Sequence, residues 1–340
     1  MRSILTGVGT AFPSRVVTNA QLEAELGGQP GWIRDVLGIE ERRATGPGEH
    51  GYQLGTRAAR AALADAGIDP ARVDLLLYHT NFPEYSLPGG GVLVQRDLGL
   101  RPGVPAFDLR AQCTGFLYGW MAADAYLQTG AARCVLLVCG ERLFDHCRAY
   151  APVAPLFGDA GAAAVLAATE EDRGLLDVRA YTDGTGAEFG LVASDHYDFL
   201  DPDRKIPAEM VVAVEDWRRS PLPGRIPQRF DGGVIYKHAV SRMTQATREM
   251  LGTHGLTVKD VDWFLFHQAN KGIVERVGAL LKLPPERVLT NLGPHGNTSS
   301  ASIPLLLADA RRDGRLQPGQ LLLMCAFAVG FLWAAALYRV

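Results

Sequence analysis

Apolar runs of four to six residues, such as Leu75-Leu-Leu-Tyr78, Val135-Leu-Leu-Val138 and Leu321-Leu-Leu-Met324, punctuate the whole chain. An unbroken apolar run, unlike an alternating one, marks a strand covered on both faces, as in parallel sheets flanked by helices. Alanine- or methionine-rich stretches at 56–66 and 242–251 have the length and composition of helices. The pattern predicts an α/β protein with mainly parallel central sheets sandwiched by helices.

The pattern is written twice. Gly67-Ile68 and Val73-Asp74-Leu75-Leu76-Leu77-Tyr78-His79 match Gly255-Leu256 and Val261-Asp262-Trp263-Phe264-Leu265-Phe266-His267, each pair 188 residues apart. Val135 to Cys139 matches Leu321 to Cys325 at a spacing of 186. Two separate matches at nearly one spacing predict pseudo-duplicated halves, 1–170 and 171–340, meeting at polar Glu170-Glu-Asp-Arg173. Between 194 and 232, five prolines and many charges predict an insertion or a cap over the site.

Residues 321–337 carry no charge. The run is short of the roughly 20 residues of a membrane span and is interrupted by Gly330, so it predicts two buried strands joined by a turn. With 47% apolar and 21% charged residues, the 340-residue chain is too apolar for general disorder. A net charge of −3, with no basic run, gives no reason to expect nucleic acid. The opening Met1-Arg-Ser-Ile-Leu-Thr-Gly lacks the apolar stretch of a signal peptide. Five cysteines, odd in number and set in apolar surroundings, predict reduced thiols in a cytoplasmic protein. No zinc-ligand spacing is present, and no metal or cofactor is expected.

Three polar signatures interrupt the apolar sequence. Cys113 sits in Asp108-Leu-Arg-Ala-Gln-Cys113-Thr-Gly-Phe, between a strand-like run and a helix-like one. A helix N-terminus there would lower the thiol pKa and favour the nucleophilic thiolate. The competing reading is a buried structural thiol, which suits Cys134, Cys139, Cys147 and Cys325. His267 ends an apolar strand and leads into Gln268-Ala-Asn270, at the strand end where ligands gather in α/β folds. Its repeat mate His79 has the look of a core histidine. Asn297 lies in Gly293-Pro-His295-Gly-Asn297-Thr-Ser, where helix capping is the plainer reading and His295 reads as structural. The bend Phe327-Ala-Val329-Gly330-Phe331 is placed to offer a backbone N–H to a substrate.

In that order and company, the Cys113 segment, Phe157-Gly-Asp-Ala-Gly161, His267-Gln-Ala-Asn270 and His295-Gly-Asn297-Thr-Ser resemble the motifs of β-ketoacyl-acyl carrier protein synthase III. The likeness runs from Gly7-Val-Gly-Thr-Ala-Phe-Pro13 to Ala335-Ala-Leu-Tyr-Arg339. It implies a thiolase-like fold and a ping-pong Claisen condensation. Cys113 would take an acyl group from a thioester. Its oxyanion would rest on the backbone N–H groups of Cys113 and Val329, and His267 and Asn297 would hold the enolate. The resemblance further implies an acyl carrier protein partner, acyl thioester substrates and a homodimer. Trp32, Leu87, Phe157 and Phe331 are its substrate-binding candidates, and Glu84 is a candidate extra base that competes with a solvated carboxylate.

Several positions depart from the family pattern. Relatives primed by coenzyme A pair a tryptophan with an arginine on the adenine. Trp32 is kept, but Val36 stands at the arginine position, with Arg34 nearby. A second arginine is replaced by Ala151, and Gly272 stands where an arginine often faces the carrier, although Lys237, Lys271, Arg276 and Lys282 remain. Valine and alanine cannot supply guanidinium stacking or phosphate pairing. These departures favour carrier-bound substrates in specialised polyketide or fatty-acid-derived metabolism. The alternatives are a housekeeping initiator of fatty-acid synthesis, an acyltransferase to a small-molecule amine or hydroxyl, and a non-enzymatic scaffold subunit.

Overall fold

The structure, a computed structural model, describes residues 1–148, 153–192 and 228–340. Ala151 and 194–227 of the expected insertion lie outside the described residues. The chain runs through β1 (Arg2–Ala11), β2 (Arg15–Thr18), β3 (Glu41–Ala44), β4 (Leu75–His79), β5 (Ala106–Leu109), β6 (Cys134–Glu141) and β7 (Ala160–Thr169). It continues through β8 (Gly174–Thr182), β9 (Gly190–Val192), β10 (Gln228–Phe230), β11 (Trp263–Phe266), β12 (Leu321–Ala328) and β13 (Leu332–Arg339).

One sheet has the order β1-β7-β6-β4-β5 and a second has β11-β12-β13-β8. Read from opposite ends, β8, β13, β12 and β11 repeat the places of β1, β7, β6 and β4. A lone bridge from Phe264 to Val288 stands where β5 pairs with β4. The fully apolar runs became the innermost strands: every residue of β4, β6 and β12 is buried. Pairing is parallel for β4/β5, β4/β6 and β11/β12. It is antiparallel where β1, β7, β8 and β13 join. An apolar run reports burial on two faces but not strand direction. The short connection through Gly330 fixes the direction of β13, since only antiparallel strands close over so few residues.

Helices Gly115–Gln128 and Ser302–Arg312 lie between the two sheets, and their Phe116, Trp120, Leu306 and Leu307 share one core with Leu137, Ala162, Met324 and Ala336. Helix Gly51–Ala66 covers the outer face of the first sheet, and helices Gly232–Thr253 and Lys271–Leu281 cover that of the second. Among the described residues, no helix is long and apolar enough to cross a membrane, and 321–337 forms the β12–β13 hairpin.

Candidate active site

Cys113 lies in a 3-10 turn, Gln112–Thr114, between β5 and helix Gly115–Gln128. Gln112 takes φ 44°, a left-handed conformation unfavourable for a side chain, and so turns the chain sharply just before the sulfur. The turn is pinned from below by Ala111 N–H, which donates to His79 Nε2 at 3.0 Å. Gly115 makes room for that ring, since a Cβ there would lie 2.2 Å from it. The expected lowering of the thiol pKa does not hold. Thr114 stands at the N-cap position with its hydroxyl donating to Ala111 C=O, which leaves Cys113 outside the helix's first turn. Burial pushes the thiol up to about 12, against the opposing pull of a hydrogen bond from Ser299.

His267 follows β11, its N–H bonded to Cys325 C=O at 2.9 Å. Its Nδ1 lies 2.7 Å from Ser302 Oγ, and burial drives its pKa down to about 3. The imidazole is therefore neutral at ordinary pH. The next residues serve as anchors. Gln268 Nε2 donates to Phe266 C=O and its Oε1 accepts from Thr290 Oγ1 at 2.9 Å. Asn270 caps helix Lys271–Leu281 through Ile273 N–H.

Asn297 is fixed by its backbone, its N–H donating to Leu156 C=O at 2.8 Å and its C=O accepting from Gly158 N–H at 3.0 Å. This bridge explains the Phe157-Gly-Asp motif, because a Cβ on Gly158 would sit 2.2 Å from His295 O. Gly296, at φ 66°, makes the turn beside it. Asp159 holds the loop from behind by accepting from the N–H groups of Thr45, Leu143 and Phe144. Asn297 Oδ1 accepts from Ser299 N–H at 2.8 Å, which leaves the Nδ2 donors for another acceptor. His295 stacks on Phe12 with ring centroids 4.4 Å apart, as a structural residue does.

One short segment, 297–302, joins the three candidates. It carries Asn297 itself, Ser299 Oγ donates to Cys113 Sγ at 3.4 Å, and Ser302 Oγ meets His267. Ser299, Ser302, Asn81 and Glu141 were not singled out in the sequence. The one signal for the first two is the hydroxyl-rich run Thr298-Ser-Ser-Ala-Ser302, richer than a helix cap needs.

The remaining candidates are placed differently. Val329 lies in the bend between β12 and β13, both of which pack against the turn bearing Cys113. Phe331 is buried among Phe189, His238 and Phe327. Phe157 is half-buried and bridged to Asn297. Trp32 packs on the Val17–Leu22–Ile33 cluster, Val36 is exposed, and Arg34 pairs with Asp35 at 2.9 Å. Leu87 is 87% exposed. Glu84, the candidate extra base, accepts from Gly51 N–H at the start of helix Gly51–Ala66. Lys237, Arg248 and Arg276, with one carboxylate from Glu249, line an open groove of about 510 Å³ between helices Gly232–Thr253 and Lys271–Leu281. Lys271 pairs with Glu275, and Lys282 ends its helix.

Known proteins resemble this chain along its whole length. Family models described as 3-Oxoacyl-[acyl-carrier-protein (ACP)] synthase III and its C terminal match residues 107–184 and 251–340, the spans that hold Cys113 and the His267–Asn297 pair. A beta-ketoacyl-[acyl-carrier-protein] synthase III of Rhodospirillum rubrum is 38% identical over 99% of this chain and 99% of its own length. The beta-ketoacyl-[acyl carrier protein] synthase III structure from Thermus thermophilus has a TM-score of 0.87 at 33% identity and covers 99% of each chain. The priming beta-ketosynthase from the R1128 polyketide biosynthetic pathway has a TM-score of 0.86 at 31% identity, covering 100% of this chain and 96% of that one.

Proposed function

Because the chain belongs to the 3-oxoacyl-[acyl-carrier-protein] synthase III family of thiolase-fold condensing enzymes, we propose that it forms a carbon–carbon bond by decarboxylative Claisen condensation through an acyl-Cys113 intermediate. The observation that carries this reading is the state of the two polar partners. His267 is neutral, with an N–H on Nε2 when Ser302 Oγ donates to Nδ1, and Asn297 has its Oδ1 occupied and its Nδ2 donors to offer. Two neutral N–H donors suit an enolate oxygen.

In the first half-reaction, the Cys113 sulfur attacks the thioester carbonyl. The new C–S bond forms, the old one breaks, and the Cys113 proton passes in net to the departing thiol. The backbone N–H groups of Cys113 and Val329 take the oxyanion. In the second, a malonyl thioester loses carbon dioxide, and the electron pair of the broken bond becomes an enolate held by His267 Nε2–H and Asn297 Nδ2–H. The enolate carbon attacks the acyl group, the C–S bond to Cys113 breaks, and the thiolate takes up one proton. Acyl transfer alone has no use for the Asn297 donor, so its presence favours carbon–carbon bond formation.

Carrier-bound acyl groups are the preferred donors in this reading, with coenzyme A thioesters poorer, as suits specialised polyketide or fatty-acid-derived metabolism. Val36 supplies no guanidinium beside Trp32, and Arg34 is engaged by Asp35. The groove of Lys237, Arg248 and Arg276 suits an acidic carrier protein, and exposed Leu87 with Tyr85 and Val92 suits a homodimer in which Leu87 reaches the partner's acyl pocket. Mass-spectrometric loading of Cys113 from matched donors tests the preference; fast, saturable loading by acetyl-coenzyme A at micromolar concentration argues for the housekeeping role instead. Malonyl decarboxylation by Cys113→Ala tests the chemistry. It is expected to proceed and to fall by about 10²–10³ when Asn297→Ala is added. Inertness of Cys113→Ala towards malonyl thioesters would leave acyl transfer as the better reading.

A further inference from the structure

We infer that Ser299 is a further catalytic residue, its hydroxyl donating to the Cys113 sulfur as negative charge gathers there, and that Asn81 positions it. The inference rests on Cys113 being the acyl acceptor proposed above. Ser299 Oγ lies 2.7 Å from Asn81 Nδ2 and 3.4 Å from Cys113 Sγ. An amide nitrogen only donates, so Ser299 Oγ must accept from Asn81, and its single proton is left to point at the sulfur.

The direction of that bond is fixed further back. Glu141 Oε2 accepts from Asn81 N–H at 3.1 Å, and Oε1 faces Asn81 Nδ2 at 3.4 Å. Turning the amide over would set two oxygens against each other and would draw the Ser299 proton away from Cys113. Glu141 is itself held, accepting from Ser300 Oγ and lying 3.3 Å from His79 Nδ1. His79 Nε2 accepts from Ala111 N–H, which assigns the ring proton to Nδ1, on the side of the ring where Glu141 lies. His79 and Glu141 are both fully buried. The chain of donors thus runs from Asn81 through Ser299 to the nucleophile, and Glu141 is the acceptor behind it that sets the Asn81 amide.

The backbone supplies a second, independent sign. Ser299 has φ 51°, where glycine would be more comfortable. Its hydrogen bond opposes the burial and the Glu141 charge that raise the Cys113 pKa.

Ser299→Gly is the direct test, because it removes the hydroxyl and suits φ 51°. The readout is the rate of Cys113 alkylation by iodoacetamide from neutral to alkaline pH, with the labelled residue located by mass spectrometry. The profile is expected to move up by about one pH unit, an approximately tenfold slower reaction at fixed pH. Asn81→Ala leaves Ser299 in place but unheld. It should shift the profile the same way by less, and it decides the matter should Ser299→Gly fail to fold. An unmoved profile in a folded variant overturns the role of Ser299. Alkylation needs no condensation partner, so the outcomes separate. A wild-type protein that alkylates normally but never condenses sinks the proposed reaction alone. A condensing enzyme whose profile ignores Ser299 sinks this inference alone.

Discussion

Ser302 Oγ lies 2.7 Å from His267 Nδ1, at the start of the helix that follows Asn297. With the hydroxyl donating to Nδ1, the imidazole carries its proton on Nε2, the nitrogen an enolate would need. Helix Ser302–Arg312 therefore orients the histidine as well as filling the layer between the sheets.

Ser302→Ala should leave the imidazole free to hold its proton on either nitrogen. The condensation half-reaction is then expected to slow by about tenfold, the effect of one lost neutral hydrogen bond. Acyl loading of Cys113 should stay unchanged, because that step uses backbone donors. Single-turnover measurement of the two halves separates them. Equal slowing of both would make Ser302 a packing residue without control of the tautomer.

His267 also leaves a mark on stability. Burial holds its folded pKa near 3, against an ordinary value of 6.5. Between these values the unfolded chain binds a proton that the folded chain refuses, so stability rises with pH across the window. Above 6.5 neither state binds it and the effect is gone. Wild-type protein should thus lose up to about 1.4 kcal/mol per pH unit to this group as pH falls from 6.5 towards 3. His295, pushed below its ordinary pKa by burial, acts in the same direction. The informative comparison is therefore with His267→Gln, whose melting temperature should fall less steeply on acidification. Parallel curves for the two proteins would mean that His267 takes up its proton in the folded state.

Glu84 is expected to matter for stability and not for chemistry. Its carboxylate accepts from Gly51 N–H at the positive end of helix Gly51–Ala66. Glu84→Gln keeps an acceptor but loses the charge, which should cost about 0.3–1 kcal/mol in thermal or denaturant unfolding. Condensation rates should stay within about twofold, a difference too small for a lost general base. A tenfold or larger loss of rate with unchanged stability would return Glu84 to the chemistry.

The α/β class and the strands at β4, β6, β11 and β12 were legible because uninterrupted apolar runs have few other uses. Strand direction was not, since β7 and β13 are as apolar as their parallel neighbours. The Cys113, His267 and Asn297 motifs stood out because polar residues interrupt apolar sequence there. Thiol acidity was not legible: helix position can be read from sequence, but burial and a 3-10 turn that shifts the helix start cannot. Asn81 and Glu141 were invisible for a related reason. Each is an ordinary polar residue at the end of a strand or in a loop, and only packing brings them to Ser299 and His79. In sequence, His79 has only the signature of a core residue. It is one by burial, yet its Nε2 pins Ala111 beneath the Cys113 turn and its Nδ1 lies 3.3 Å from Glu141.

Donor choice is tested most sharply by restoring what the chain lacks. Val36 is 64% exposed, one turn along from half-buried Trp32, so an arginine side chain fits there without disturbing the core. A guanidinium over an adenine stacked on Trp32 would add a cation–π contact of about 0.5–1 kcal/mol at this exposure. Val36→Arg should therefore raise the second-order rate of Cys113 loading from acetyl-coenzyme A by about two- to fivefold. Loading from the same acyl group on a carrier protein, which brings no adenine, should be unaffected. Equal acceleration of both donors would point to a general charge effect on acidic ligands. No change with either would mean that coenzyme A, where it binds at all, does not place its adenine on Trp32.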